Sequence, residues 1–95
     1  MVIGYGIITF RLHACHSLKE KRSIVKTILH QIENRFNVSV AEVGANDIHQ
    51  LSEIGFALVG NNQQIVNSRM DKLNNLANEL SMVEVINSEM EIMHL

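Results

Sequence analysis

Ninety-five residues, 46% apolar and 19% charged, suit one globular domain over residues 1–95 and exclude a disordered chain. The net charge is −2, yet residues 1–36 hold six of the eight cations (Arg11, Lys19, Lys21, Arg22, Lys26, Arg35) against two acids, a net of +4, while residues 37–95 hold two cations against eight acids, a net of −6. No apolar run reaches the roughly 18 residues of a membrane span, the start lacks the basic region and cleavage site of a signal peptide, and the single Cys15 excludes an internal disulfide, so a cytoplasmic protein is expected.

Residues 2–13 alternate. Val2, Gly4, Gly6, Ile8, Phe10 and Leu12 fall on one face, and Ile3, Tyr5, Ile7, Thr9, Arg11 and His13 on the other. Period two with β-branched and aromatic residues predicts a strand, with the second face the less covered one. Ser17-Leu18-Lys19-Glu20 has the form of a capping box, in which Glu20 reaches back to the Ser17 N–H. A helix follows to about Arg35, with Leu18, Val25, Ile28, Leu29, Ile32 and Phe36 on its apolar side. It is expected to end near Asn37 as a C′ residue.

Residues 38–43 predict the second strand and Glu53 to Val59 the third, joined by a loop over about 44–51 that opens on the turn residues Gly44-Ala45-Asn46-Asp47. Asn61-Asn62 offers an N-cap to a second helix. Its stripe is Ile65, Val66, Met70, Leu73, Leu76, Ala77 and Leu80, interrupted by Arg69. The last strand runs from about Val83 to Met93, with Ile86, Met90 and Ile92 on one face and Glu89 and Glu91 on the other. The order βαββαβ, with short connections, predicts an α+β ferredoxin-like sandwich: a four-stranded antiparallel sheet with two helices on one face.

The blocks Ser17-Leu18-Lys19-Glu20-Lys21-Arg22, Val25-Lys26 and Arg35-Phe36-Asn37-Val38-Ser39-Val40-Ala41-Glu42-Val43, with Ile54-Gly55-Phe56-Ala57 and Asp71-Lys72 after them, resemble the bacterial YlxP-like family, a small family of unknown function. The resemblance implies a ferredoxin-like fold and no catalytic residues. Genes of that family often stand beside those of translation and ribosome-maturation factors, which implies a link to RNA or a ribosomal component. Two positions depart from the pattern. His49 stands where a tryptophan is common, and Arg69 where the family is usually apolar.

Lys19, Arg22, Lys26 and His30 project onto one flank of the first helix at 100° per residue, while Lys21 lies nearer the buried side and is expected to snorkel. Cations in the first turns oppose the positive end of the helix dipole, each at about 0.3–1 kcal/mol. A sequence serving stability alone would place acids there. The stripe, with Lys21 and Arg11 nearby, therefore reads as an anion site for a phosphate backbone, set against an incidental solvated face.

Gly55-Phe56-Ala57-Leu58-Val59 sits where RNA-recognition domains carry an RNP1 motif. Its Ile54/Phe56/Leu58 face is the more apolar one and is expected to face the helices, which leaves no stacking platform. His13-Ala14-Cys15-His16 lacks the paired spacing of a zinc site. Cys15, near a helix N-terminus, has the setting of a reactive thiol, but no oriented base is visible beside it. Asp47, His49 and Glu53 offer at most a small polar cluster.

The expectation is thus a binding module rather than an enzyme, with no cofactor or metal, no membrane partner and no DNA specificity. Arg11, Lys19, Lys21, Arg22 and Lys26 would meet RNA or a ribosomal component. The alternative is a homo-oligomeric structural or ligand-sensing module, a homodimer in the simplest case, paired through Ile3, Tyr5, Ile7, Ala57 and Val59 on the open sheet face.

Overall fold

Alternation carries Val2–Arg11 into the sheet as β1, and Leu18–Arg35 forms α1 behind its Ser17 cap. Ser39–Gly44 and Leu51–Gly60 follow as β2 and β3, then Gln63–Glu79 as α2 and Glu84–His94 as β4. The computed structural model describes every residue from Met1 to Leu95. The strand order is β2-β3-β1-β4, and every neighbouring pair is antiparallel. With both helices on one face, this is the ferredoxin-like sandwich that the element order predicts.

The inward face of β1 supplies Ile8 and Phe10, continued by Leu12 just after the strand, all fully buried, against Ile54, Phe56 and Leu58 of β3. Above them, α2 sends Val66, Met70, Leu73, Leu76 and Ala77 into the core, and α1 adds Val25, Ile28 and Ile32. Burial of each large apolar side chain stabilises by about 1.5–3 kcal/mol. Helix α1 packs against β2, and α2 packs against β1, β3 and β4. Close approach of α2 to β1 needs Gly4, where a Cβ would stand 2.7 Å from both Met70 Sδ and Val66 Cγ1.

Local details differ from the sequence reading in five places. Glu20 accepts from the His16 N–H at 3.0 Å rather than from Ser17, while Ser17 Oγ accepts from the Glu20 N–H at 3.1 Å as expected. The box therefore reaches one residue further back and orders the turn before the helix. Helix α1 ends at an extended Phe36. The non-glycine residues with positive φ are Ala14 and Ala45, so Asn37 is no left-handed C′. Ile65 is exposed, because the inward face of α2 begins at its neighbour Val66, which is fully buried over Gly4 and Gly60. The β2–β3 connection shortens to residues 45–50, since β3 starts at Leu51. Finally, β4 shifts register opposite Thr9/Phe10. That bulge turns Ile86 out to 39% exposure and lets Val85 pack on the core instead.

Candidate functional site

Helix α1 turns two kinds of cation in opposite directions. Lys19, Arg22, Lys26 and His30 are exposed, and none has a carboxylate within ion-pair distance. Lys19 and Lys26 stand about 10 Å apart along the axis at 1.5 Å per residue. Glu20, the acid of the first turn, accepts from the His16 N–H and makes no ion pair with the row. The result is a row of free positive charge along the outward flank of α1.

Lys21 does not belong to that row. It is 1% exposed, so it is buried rather than snorkelling. Its Nζ lies 3.2 Å from Glu42 Oε2 and donates to the Ala45 carbonyl in a short contact. Ser52 Oγ donates to the same Glu42 oxygen at 2.6 Å, and Asn46 Nδ2 approaches the other at 3.4 Å. This knot ties the first turn of α1 to β2, β3 and the loop between them. No buried side-chain polar atom is left unpartnered. Lys21 is therefore committed to the fold and unavailable to an external anion. Arg11 is also separate from the row. It projects from the far side of the sheet, in register with Leu51 and Glu84.

The other polar candidates resolve individually. Cys15 is fully buried, and its thiol donates to the Ser17 carbonyl at 3.4 Å. It is a core residue rather than a reactive surface thiol. His13 pairs with Glu84 at 3.1 Å on the surface. Asp47 and His49 are exposed in the 45–50 loop, whereas the Glu53 carboxylate lies over Gly44 in the space a Cβ would fill, and no hydrogen bond joins the three. Arg69 finds a backbone partner, donating to the Asn37 carbonyl at 2.8 Å. It thereby pins α2 to the segment after α1. No group of three side chains is placed to hold a metal ion, and no helix is long and apolar enough to cross a membrane.

The uncovered sheet face is the second notable surface. Ile3, Tyr5, Ile7, Ala57 and Val59 all point to it, with Val59 and Val43 more than half exposed. Tyr5, Ile7 and Val43 wall a shallow trough of about 480 Å³ over a floor of Ala41, Gly55 and Ala57. Four carboxylates stand on this face or at its margin: Glu53 on β3, and Glu84, Glu89 and Glu91 on β4. Arg11 is the lone cation in register with them. Phe56 is buried on the opposite side, so the RNP1-like segment presents no ring for base stacking.

Tyr5 Oη donates to Glu91 Oε2 at 2.9 Å. That bond, the carboxylate's charge and partial desolvation, in that order, hold the phenol above its usual pKa of 10.0. A raised folded-state value means that the neutral phenol is favoured by folding. Its contribution is present below the unfolded pKa and is lost as pH rises through the folded one. Tyr5 is the chain's only tyrosine and there is no tryptophan, so an ultraviolet titration reads this group alone. The midpoint is expected above 10 and should fall back towards that value in Glu91→Gln; an unchanged midpoint would contradict the bond.

The family model described as "Protein of unknown function (DUF503)" matches residues 3–90. The chain belongs to the DUF503 family. It is 37% identical over 62 residues to "Uncharacterized protein YlxP" of Bacillus subtilis (strain 168), spanning 65% of this chain and 67% of that protein. Among solved structures, the de novo designed protein Foldit4 aligns with a TM-score of 0.50 and 14% identity, covering 98% of this chain and 94% of that one. The designed protein Ferredog-Diesel aligns at 0.43 with 9% identity, covering 97% and 84%. At 14% identity the likeness to Foldit4 extends to the fold alone. For this DUF503 domain, the functional reading has to come from its own surfaces.

Proposed function

We propose that this DUF503 domain is a non-catalytic RNA-binding module that holds a phosphate backbone along the outward flank of α1. The observation that carries the reading is the row Lys19, Arg22 and Lys26, exposed, aligned and without carboxylate partners. Two further features support it. The opposite face of the molecule is acidic, which repels a polyanion and directs it to α1. Lys19 and Arg22 also stand at the wrong end of a helix for stability, a placement that makes sense when they serve a ligand. His30 extends the row by one turn.

Binding of this kind reads charge and spacing, not bases. Three phosphate contacts give a salt slope of about −2 on single-stranded RNA and about −2.7 on a duplex, so affinity falls roughly 20–40-fold between about 50 and 200 mM salt. The test is a salt titration against a labelled single-stranded RNA of about 20 nucleotides and its duplex, with wild type and Arg22→Glu/Lys26→Glu. The double reversal is expected to weaken binding by about 100-fold with an unchanged circular dichroism spectrum. Equal affinity in the two proteins would refute the proposal.

Lys19→Glu gives an independent check, because function and stability should move in opposite directions. It places an acid in the first turn of α1, which is expected to stabilise the fold by about 1 kcal/mol and raise Tm by about 4–8 °C, while RNA affinity drops. If Tm falls together with affinity, the row has a structural purpose and the argument from the dipole collapses.

A further inference from the structure

We infer that the open sheet face is a homodimer interface whose two-fold axis runs parallel to the strands, between β1 and β3. Size and charge are patterned across that face, on residues separate from the α1 row. Reading across the sheet at one level, Ser39, Ala57, Tyr5 and Glu91 are aligned. At the next level Ala41, Gly55, Ile7 and Glu89 are aligned. At these two central levels large side chains occupy β1, small ones occupy β3 and β2, and carboxylates sit on the β4 edge, while Val59 and Val43 flank the small set.

An axis along the strands reverses the order of strands and keeps each level. It places Tyr5 of one copy over Ala57 of the other, Ile7 over Gly55, and Ile3 over Val59. Knobs then meet the floor of the trough, as close packing requires. The same operation puts Glu91 and Glu89 opposite the uncharged Ser39 and Ala41 of the second copy. An axis across the strands would instead stack β4 on β4 and oppose carboxylates with carboxylates, which is repulsive. A self-complementary pattern of this kind is what an isologous interface needs. Packed sheets lie aligned to within about 30°, so the level-by-level matches hold best at the centre.

Area sets the strength. Strands of about 33 Å at a spacing of about 4.8 Å make a face roughly 19 Å wide, so about 600 Å² per copy is covered. The total of about 1,200 Å² reaches the lower limit of stable, specific interfaces and exceeds ordinary crystal contacts. A dissociation constant in the micromolar range is expected, with α1 and its cations left outward on both copies.

The test is sedimentation of the full chain from about 1 to about 500 µM, comparing wild type with Ala57→Lys and, as a second probe of the same face, Val59→Glu. Wild type is expected to pass from monomer to dimer. Either variant should raise the dissociation constant at least about 100-fold, because an unpaired charge would be buried, with circular dichroism unchanged. The axis is tested by a thiol crosslinker spanning about 10 Å, the spacing of packed sheets. Ser39→Cys mixed with Glu91→Cys should yield a mixed crosslinked dimer, and Glu91→Cys alone should yield none. A wild-type monomer at the highest concentration, a dimer indifferent to both charge substitutions, or self-crosslinking of Glu91→Cys would each overturn the inference.

Discussion

Lys21→Met is expected to cost about 3–4 kcal/mol, because it leaves Glu42 in the protein interior without its cation. Removing one partner of a buried ion pair exposes the full desolvation penalty of the other. Here the surviving partner is partly buried. The Glu42 side chain is 18% exposed, and Ser52 would remain its one short hydrogen bond. For a domain of this size, Tm should fall by about 12–32 °C. Methionine is the right probe since it keeps the length and apolar stem of lysine and opens little cavity.

The double variant Lys21→Met/Glu42→Leu should recover most of that loss, since an apolar pair of similar volume removes both charges together. It would still trail wild type by about 1–2 kcal/mol, because Ser52, fully buried, then lacks an acceptor. Adding Ser52→Ala should remove that residue of the penalty. Chemical denaturation of these four proteins together with Glu42→Leu alone closes the cycle on the pair. A Lys21→Met protein as stable as wild type would mean that the pair contributes nothing to holding α1 against β2. The series also bears on the RNA reading, because it changes a cation beside the α1 row without touching the row itself. Variants that fold should keep wild-type RNA affinity.

Gly6→Val is expected to destabilise by about 3 kcal/mol, at the upper end for overpacking. The reason lies in what a side chain there would meet. A Cβ on Gly6 runs into the Glu89 carbonyl and stands 3.1 Å from Met90 Cα. Both are backbone atoms of the paired strand β4, which cannot swing aside without losing ladder bonds to β1. Gly4 offers a contrast. Its neighbours are the side chains of Met70 and Val66, which can be trimmed. Gly4→Ala alone should cost about 1–2 kcal/mol, and Val66→Ala should recover part of it by vacating the contested volume. No side-chain truncation should rescue Gly6→Val. Equal rescue at both positions, measured by thermal unfolding, would show that β4 yields more readily than its backbone contact implies.

Much of this molecule was legible in the residues alone. The strand patterns of residues 2–13, 38–43, 53–59 and 83–93, the Ser17 cap and the 3.6-residue stripes of both helices give six elements in order, and that order leaves few topologies open. The open-face set Ile3, Tyr5, Ile7, Ala57 and Val59 follows from period two alone, as does the inward direction of Phe56. Details that failed did so where a neighbour overrules local pattern. Ile86 belongs to the core face by strict alternation, yet the bulge in β4 expels it. Arg69 breaks an apolar stripe for no local reason, and its purpose appears once Asn37 is seen beside it.

The candidate site divides in the same way. Helical periodicity put Lys19, Arg22 and Lys26 on one flank, and nothing in the tertiary structure moved them. Arg11 and Lys21 are close to them in sequence, but the fold sends both elsewhere. A signal for Lys21 was present: Glu42 follows Val38 and Val40 at period two and so shares their inward face. Its meaning needed a partner twenty-one residues away.

What the sequence by itself determined is therefore everything set by short-range periodicity and capping: the elements, their amphipathic faces, the sandwich they form and the row of cations along α1. What only the tertiary structure decided is pairing across elements: the buried Lys21–Glu42–Ser52 knot, the bulge that turns Ile86 outward, and the matching of large to small side chains across the open sheet. The physical reason is that periodicity is a property of a single segment, whereas a buried charge or a packed knob is defined by atoms that other segments bring to it.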